Sequence, residues 1–291
     1  MDAGACFGIA GVQMNVSAFD SNVEHMGNYL RHIRSRFPWV RMVLFSELAA
    51  LGPRHGTAEP LPGPTEARLA ELARETGLWL IPGSLFEQAE GPDGPVVYNT
   101  TPVIDPAGVV VARFRKLFPF RPYERDVQGG TEFCVFDVPG VGRFGVSICY
   151  DMWFPETTRT LAAMGAEVIL HPTMTDTIDR DVELAIARAS AAQNQVYFFD
   201  VNGVGHGGVG RSIVCDPSGY VLHQAENGPE IMAIEVDLAR LRRERERGLR
   251  SNLGQPLKSF RDRDCEFRLY RADAAAEFPY LHTLGPLTKP D

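Results

Sequence analysis

An α/β fold with helices covering the faces of β-sheets is the architecture this sequence predicts. Three observations point there. Strand-length apolar runs alternate with amphipathic helix-length segments through most of the 291 residues. Both halves of the chain read β-α-β, with extra hairpins between them, which fits a layered sandwich better than an eight-fold barrel. Composition is even throughout, without repeat or Ser/Gly linker, so residues 1–291 read as a single domain.

The elements follow in order. "FGIAGVQMNV" mixes apolar and small residues as a first strand. "SNVEHMGNYLRHIRSRF" places Val23, Met26, Leu30 and Ile33 at helical spacing, with Ser21 as expected N-cap. "RMVLFSE" is a short buried strand ending on a carboxylate. "TEARLAELARETG" is an amphipathic helix stopped by Gly77, and "LWLIPGSLFE" is expected as the next strand. "VVYNTTPVIDPAGVVVARFRK" reads as two strands joined by a turn over Asp105, Pro106, Ala107 and Gly108. "FCVFDVPGVGRFGVSIC" is a strand, a Pro/Gly turn and a strand, with a helix expected from about Pro155. "AEVILHPT" is a strand, "DRDVELAIARASAAQN" a helix, and "QVYFFDVNG", "GRSIVCDPSGYVLHQA" and "EIMAIEVDL" are further strands. From about Leu238 a charged helix, "LARLRRERERG", opens a C-terminal arm. That arm either packs on a partner subunit or the body, or is a solvated helix with a loose tail.

Composition narrows the function classes. The chain is 44% hydrophobic and 23% charged, and no run reaches the ~18 apolar residues of a membrane span. The start, "MDAGACFGIAGVQMNV", lacks a basic segment and reads as a strand rather than a signal peptide. A net charge of -8 argues against nucleic acid or an anionic membrane surface as partner. The five cysteines, Cys6, Cys134, Cys149, Cys215 and Cys265, are scattered and odd in number, without metal-type spacing. They imply a reducing, cytoplasmic setting and neither a disulfide framework nor a zinc site. The seven histidines show no ligand spacing, so no metal is expected.

Two motifs fail on context. "NGVGHGGVGRS" fits GxGxxG and nearly fits a phosphate loop, but strand and turn residues follow it where a helix is needed. "GVSIC" falls short of a nucleophile elbow, with Ser147 inside the strand. A Cys-His pair would draw on His171 in "ILHPT"; a hydrogen-bonded loop histidine is the competing reading.

Three strands each deliver one ionisable residue at the C-terminal end: Glu47 after "MVLFS", Lys116 after "VVVARFR" and Cys149 after "FGVSI". Ligands of open α/β sheets bind at those ends. A neutral thiol needs a base or a cation to become a nucleophile. The carboxylate can take its proton, and the ammonium can stabilise thiolate and oxyanion. Taken alone, Cys149 is as well read as a core filler.

On these residues the chain resembles the nitrilase superfamily of carbon–nitrogen hydrolases, to about Leu238. Glu47 in "LFSEL" is similar to the family's general base, Lys116 in "RKLFPF" to its lysine and Cys149 in "CYDMWFPE" to its nucleophile. Glu124 in "RPYERD" resembles the second glutamate that many members carry. "RASAAQNQVYFFDVNGVG" and "GRSIVCDPSG" resemble further family blocks, with Gln193 where Glu is common and Arg211 where Gly is common. The resemblance implies a four-layer α-β-β-α sandwich that pairs into a homodimer or higher homo-oligomer. It also implies cofactor-free catalysis through a Cys149 thioester, with the Tyr150 backbone N–H helping to hold the oxyanion.

True nitrilases usually carry Cys-Trp-Glu; here Cys149-Tyr150-Asp151 and "FPE" resemble the amidase and carbamoylase branches. The expected substrate is a small linear amide or N-carbamoyl compound, the expected product ammonia. A small nitrile, acyl transfer and a non-catalytic scaffold are the alternatives. Candidate pocket residues are Tyr123, Trp153, His171, Thr173 and Met174, each also readable as packing.

Overall fold

Residues 6–92, 94–248, 254–271 and 277–288 are described by a computed structural model of the chain. The first half runs β1 (Cys6–Gln13), β2 (Asn15–Val16), α1 (Val23–Arg36), β3 (Val40–Phe45), α2 (Pro64–Thr76), β4 (Trp79–Ile81), β5 (Leu85–Gly91), β6 (Gly94–Ile104) and β7 (Val110–Arg115). The second half runs β8 (Cys134–Val138), β9 (Gly142–Val146), α3 (Pro155–Ala163), β10 (Val168–Pro172), α4 (Asp179–Asn194), β11 (Tyr197–Val201), β12 (Val204–Gly205), β13 (Ile213–Cys215), β14 (Val221–Gln224) and β15 (Glu230–Asp237). Helices α5 (Leu238–Arg247) and α6 (Pro256–Arg261) follow.

A seven-stranded sheet has the order β15-β1-β3-β4-β6-β5, with β7 also paired to β6. A six-stranded sheet has the order β14-β13-β11-β10-β9-β8. Strand neighbours β1, β3 and β4 are parallel, as are β9, β10 and β11. This is what the β-α-β reading of each half requires.

Side-chain alternation along each strand builds the layers. Phe7, Ile9, Met42 and Leu44 of the first sheet meet Phe144, Val146, Leu170 and Phe199 of the second. Their neighbours Ala10, Val12, Val43 and Phe45 face the other way, onto Met26 and Leu30 of α1 and Leu69 and Leu72 of α2. In the second sheet Ile169 and Phe198 face Leu161 of α3 and Leu184 and Ala187 of α4. The result is an α-β-β-α sandwich, as expected. Truncating a fully buried Leu30 or Leu72 to Ala would cost about 2–5 kcal/mol.

Two expectations need correction, and one choice left open is made. "LWLIPGSLFE" is two strands, because the backbone at Gly83 (φ 80°) presses on Ser46: a Cβ there would stand 1.8 Å from the Ser46 carbonyl oxygen. Asn22, not Ser21, stands at the N-cap position of α1; its side chain bonds Ser17, while Ser21 Oγ accepts the N–H of Val23, the first helical residue (3.4 Å). Of the readings left open for the arm, helix α5 takes packing on the body. Asp237 caps it, Leu238 and Leu241 are buried, and Arg242 and Arg245 reach Glu167 and the Ala166 carbonyl.

The described part of the arm beyond α5 is largely exposed, and residues 249–253, 272–276 and 289–291 of it lie outside the described residues. Among the described residues no helix is long and apolar enough to cross a membrane.

Candidate active site

The three residues read at strand ends converge between the two sheets. After β3 the chain turns sharply at Leu48, whose φ is 54°. Glu47 N–H donates to the Thr173 carbonyl of the opposite sheet (3.1 Å), and Leu48 N–H donates to Ser84 Oγ (3.1 Å). Lys116 follows β7 directly. Its N–H donates to Asn99 O and its carbonyl accepts from Gly130 N–H, both at 2.8 Å. Gly130 has no room for a side chain, since a Cβ would lie 2.4 Å from Arg115 O. Cys149 opens a 3-10 turn, Cys149–Trp153, past the end of β9. Its φ of 46° is a strained value for a non-glycine residue, of a kind that collects at functional sites.

Lys116 Nζ donates to Glu47 Oε1 (3.0 Å) and to Glu124 Oε2 (2.8 Å). The Glu47 carboxylate and the Cys149 thiol lie close enough to influence each other's protonation, and Cys149 Sγ lies 4.0 Å from the Met174 carbonyl. Exposure is 1% for Lys116, 2% for Glu47 and 8% for Cys149, so solvent screening among them is weak.

Burial raises the Glu47 carboxyl above its ordinary value; the Lys116 ammonium pulls it back in part, and Glu124 adds to the rise. Burial alone would lower the Lys116 ammonium, but the charges of Glu47 and Glu124 push it well up. For Glu124, burial is outweighed by Lys116 and by the Phe120 N–H (2.5 Å), and the carboxyl is lowered. Burial and then the Glu47 carboxylate push the Cys149 thiol well up, against Lys116. The arrangement holds a neutral thiol beside a raised carboxylate and a permanent cation. That carboxylate can accept a proton as the sulfur attacks.

The pocket candidates divide. Met174 and Tyr150 border Cys149. Thr173 is buried, its carbonyl taken by Glu47. Tyr123 is half-exposed and stacks on Phe120, whose ring also meets Tyr150 (centroids 5.0 and 4.9 Å). The Trp153 indole N–H points to Glu183 of α4 (3.4 Å). His171 fits the competing reading, a buried hydrogen-bonded histidine, here within β10. It is fully buried, with Nδ1 2.7 Å from Ser147 Oγ and no hydrogen-bond partner on Nε2 among the described residues. Burial lowers its pKa to about 3, so the ring is neutral at ordinary pH.

Two residues join the site without having been read as site residues in the sequence. Asn99 Nδ2 donates to Glu47 Oε1 (2.7 Å) and Glu124 Oε1 (3.4 Å). Its signal is the polar triplet Asn99, Thr100, Thr101, fully buried inside a strand. Asp151 is fully buried two residues past the thiol and binds three backbone N–H groups. A cavity of about 600 Å³ lies away from this cluster, lined by Glu87, Tyr98, Arg113, Arg115 and Cys134. Its arginines are already paired bidentately with Glu66 and Glu87. Among the described residues no cluster of His, Cys, Asp and Glu is arranged to hold a metal ion.

The family model described as carbon-nitrogen hydrolase matches residues 8–246. A formamidase of Bacillus cereus (strain B4264) is 31% identical over 228 residues, covering 75% of this chain and 68% of the relative. Nit3 of Saccharomyces cerevisiae, a member of branch 10 of the nitrilase superfamily, superposes with a TM-score of 0.75 at 25% identity, over 83% of this chain and 94% of that one. A Nesterenkonia AN1 amidase of the same superfamily gives 0.70 at 25% identity, over 86% and 97%. A match across nearly the whole sandwich, from the third residue of β1 into α5, makes this chain a member of the carbon–nitrogen hydrolase family.

Proposed function

We propose that the protein hydrolyses the C–N bond of a small linear amide or N-carbamoyl compound, releasing ammonia. The observation that carries this reading is Lys116 Nζ held between Glu47 and Glu124, with the buried Cys149 thiol in the electrostatic reach of Glu47 and Lys116. Support for the amide class comes from the similarity to proteins named formamidase and amidase. The near-complete burial of Cys149 favours a short substrate.

In the reaction Glu47 takes the thiol proton as Cys149 Sγ attacks the carbonyl carbon. The oxyanion is held by Lys116 and by the Tyr150 backbone N–H, which lies in the first turn of the 3-10 segment, where N–H groups lack intrahelical partners. Preorganised donors of this kind contribute about 3–4 kcal/mol each. Collapse breaks the C–N bond; Glu47 returns its proton to the leaving nitrogen, and an acyl thioester remains on Cys149. Glu47 then removes a proton from water, whose oxygen attacks the thioester. Carboxylic acid leaves and the thiol is reprotonated. Glu124 orients Lys116 and keeps it charged. For an N-carbamoyl substrate the same steps yield ammonia, carbon dioxide and an amine.

The apolar layer shared by both sheets supports one domain with an arm from about residue 238. Exposed Phe267, Leu269, Tyr270, Leu281 and Leu284 on that arm support pairing with a second copy.

The test is ammonia release from formamide, longer amides, N-carbamoyl compounds and nitriles, with Cys149→Ala as control. Turnover of an amide or carbamoyl compound, abolished in the variant and accompanied by an acyl mass on Cys149, is expected. Turnover confined to nitriles overturns the substrate class. A folded but inert wild type leaves the scaffold reading.

A further inference from the structure

Asp151 takes no step in that reaction, yet it is fully buried and touches both segments that carry it. Its Oδ1 accepts the N–H of Leu117 (3.0 Å) and of Phe118 (2.9 Å); its Oδ2 accepts the N–H of Ile148 (2.9 Å). Leu117 follows Lys116, and Ile148 precedes Cys149. Strands β7 and β9 belong to different sheets, so no ladder hydrogen bond sets the distance between ammonium and thiol. One carboxylate, rooted in the Cys149–Trp153 turn, spans the gap.

We propose that Asp151 is a positioning residue whose carboxylate ties the Lys116 segment to the Cys149 turn, fixing the ammonium against the sulfur. The proposal rests on Lys116 and Cys149 being the reacting groups named above. A buried acid without a cationic hydrogen-bond partner is costly unless its lone pairs are used. These three N–H groups use them on two chain segments at once. Burial pushes the Asp151 carboxyl up to about 7, against the pull of those N–H groups and of Lys116. Phe118 also stacks on Phe154 (centroids 3.6 Å) across the same junction. Stacked rings can slide, whereas three directed hydrogen bonds define a distance.

The test uses the full chain with Asp151→Asn, which keeps the shape but turns an NH₂ group toward an N–H donor. Two quantities are read: steady-state ammonia release, and peptide-resolved alkylation of Cys149 by iodoacetamide as a function of pH, which needs no substrate. The expected result is a kcat at least about 100-fold lower with KM within about threefold, the size of effect a misplacement near 1 Å produces. Alkylation of Cys149 at pH 8 should slow by about fivefold or more, because a displaced Lys116 no longer favours the thiolate. Asp151→Glu, which restores a carboxylate, should recover at least about tenfold in kcat over Asp151→Asn.

A folded Asp151→Asn variant with near-wild-type kcat overturns the proposal. So does a fall in kcat with the alkylation profile unchanged, since that is loss of structure alone. Should Asp151→Asn fail to fold, amide exchange in the wild type decides: Leu117 and Phe118 should exchange as slowly as β7, and exchange at open-loop rates refutes the tie. A wild type inert on every substrate refutes the reaction, while alkylation still tests Asp151.

Discussion

Replacing Lys116 by methionine, which has nearly its length and no charge, should destabilise the protein in a strongly pH-dependent way. Lys116 Nζ lies 3.0 Å from Glu47 and 2.8 Å from Glu124, with side-chain exposures of 2%, 2% and 15%. At an effective dielectric constant of about 20, each contact is worth about 5–6 kcal/mol of Coulomb attraction before desolvation. Removing the shared cation leaves two partly or fully buried carboxylates facing each other. Breaking a buried pair in this way costs about 3–5 kcal/mol. The site can escape by protonating one carboxyl. From the ordinary value of 4.5, that costs about 3.4 kcal/mol at pH 7 and about 0.7 kcal/mol at pH 5. Urea denaturation should therefore show Lys116→Met losing about 3–4 kcal/mol against wild type at pH 7 and about 1 kcal/mol at pH 5. Adding Glu47→Gln leaves only Glu124, which keeps the Phe120 N–H. The double variant should regain about 2 kcal/mol at pH 7 while still releasing no ammonia. An equal loss at both pH values, or a further loss on adding Glu47→Gln, would refute the shared-cation account.

The remaining predictions concern the groups around this centre. His171 titrates near 3 in the fold against 6.5 unfolded. The unfolded chain thus takes up a proton that the folded chain refuses, and stability drains as pH falls from about 6.5 toward 3. At pH 4.5 this amounts to about 2–3 kcal/mol; His171→Asn should lack that part, and a wild-type-to-variant difference equal at pH 7 and 4.5 would disprove it. Asn99→Leu removes a donor to the Glu47 carboxylate, a bond worth about 1.5–3 kcal/mol. The acid limb of kcat/KM should move to higher pH by about one unit or more, and an unmoved limb counts against Glu47 as base. Gly83→Ala places a Cβ on the Ser46 carbonyl at a positive φ. A loss of about 2 kcal/mol or more and a fall in kcat are expected; unchanged stability by denaturation would show that the close approach is not needed.

Much of this was legible in the chain itself. The strand ends bearing Glu47, Lys116 and Cys149 could be read because apolar strands have a characteristic length and an ionisable residue after one breaks the pattern. Helices α2 and α4 could be read because apolar spacing and, for α2, the left-handed stop at Gly77 are local properties. The break at Gly83 could not, since only the approach of Ser46 imposes it. His171 stands near the end of an apolar strand as a pocket residue would, and only the packing of Phe198 and Ser147 around it seals it in. Asn99 and Asp151 look like a strand polar residue and a turn acid. Their roles depend on partners 52 and 34 residues away. Local sequence determined which strands exist and what each one carries at its tip. Which tips meet, at what distance, and which polar groups are sealed in with them was decided when the two sheets stacked. Hydrogen bonds across that gap join residues that no short-range periodicity relates.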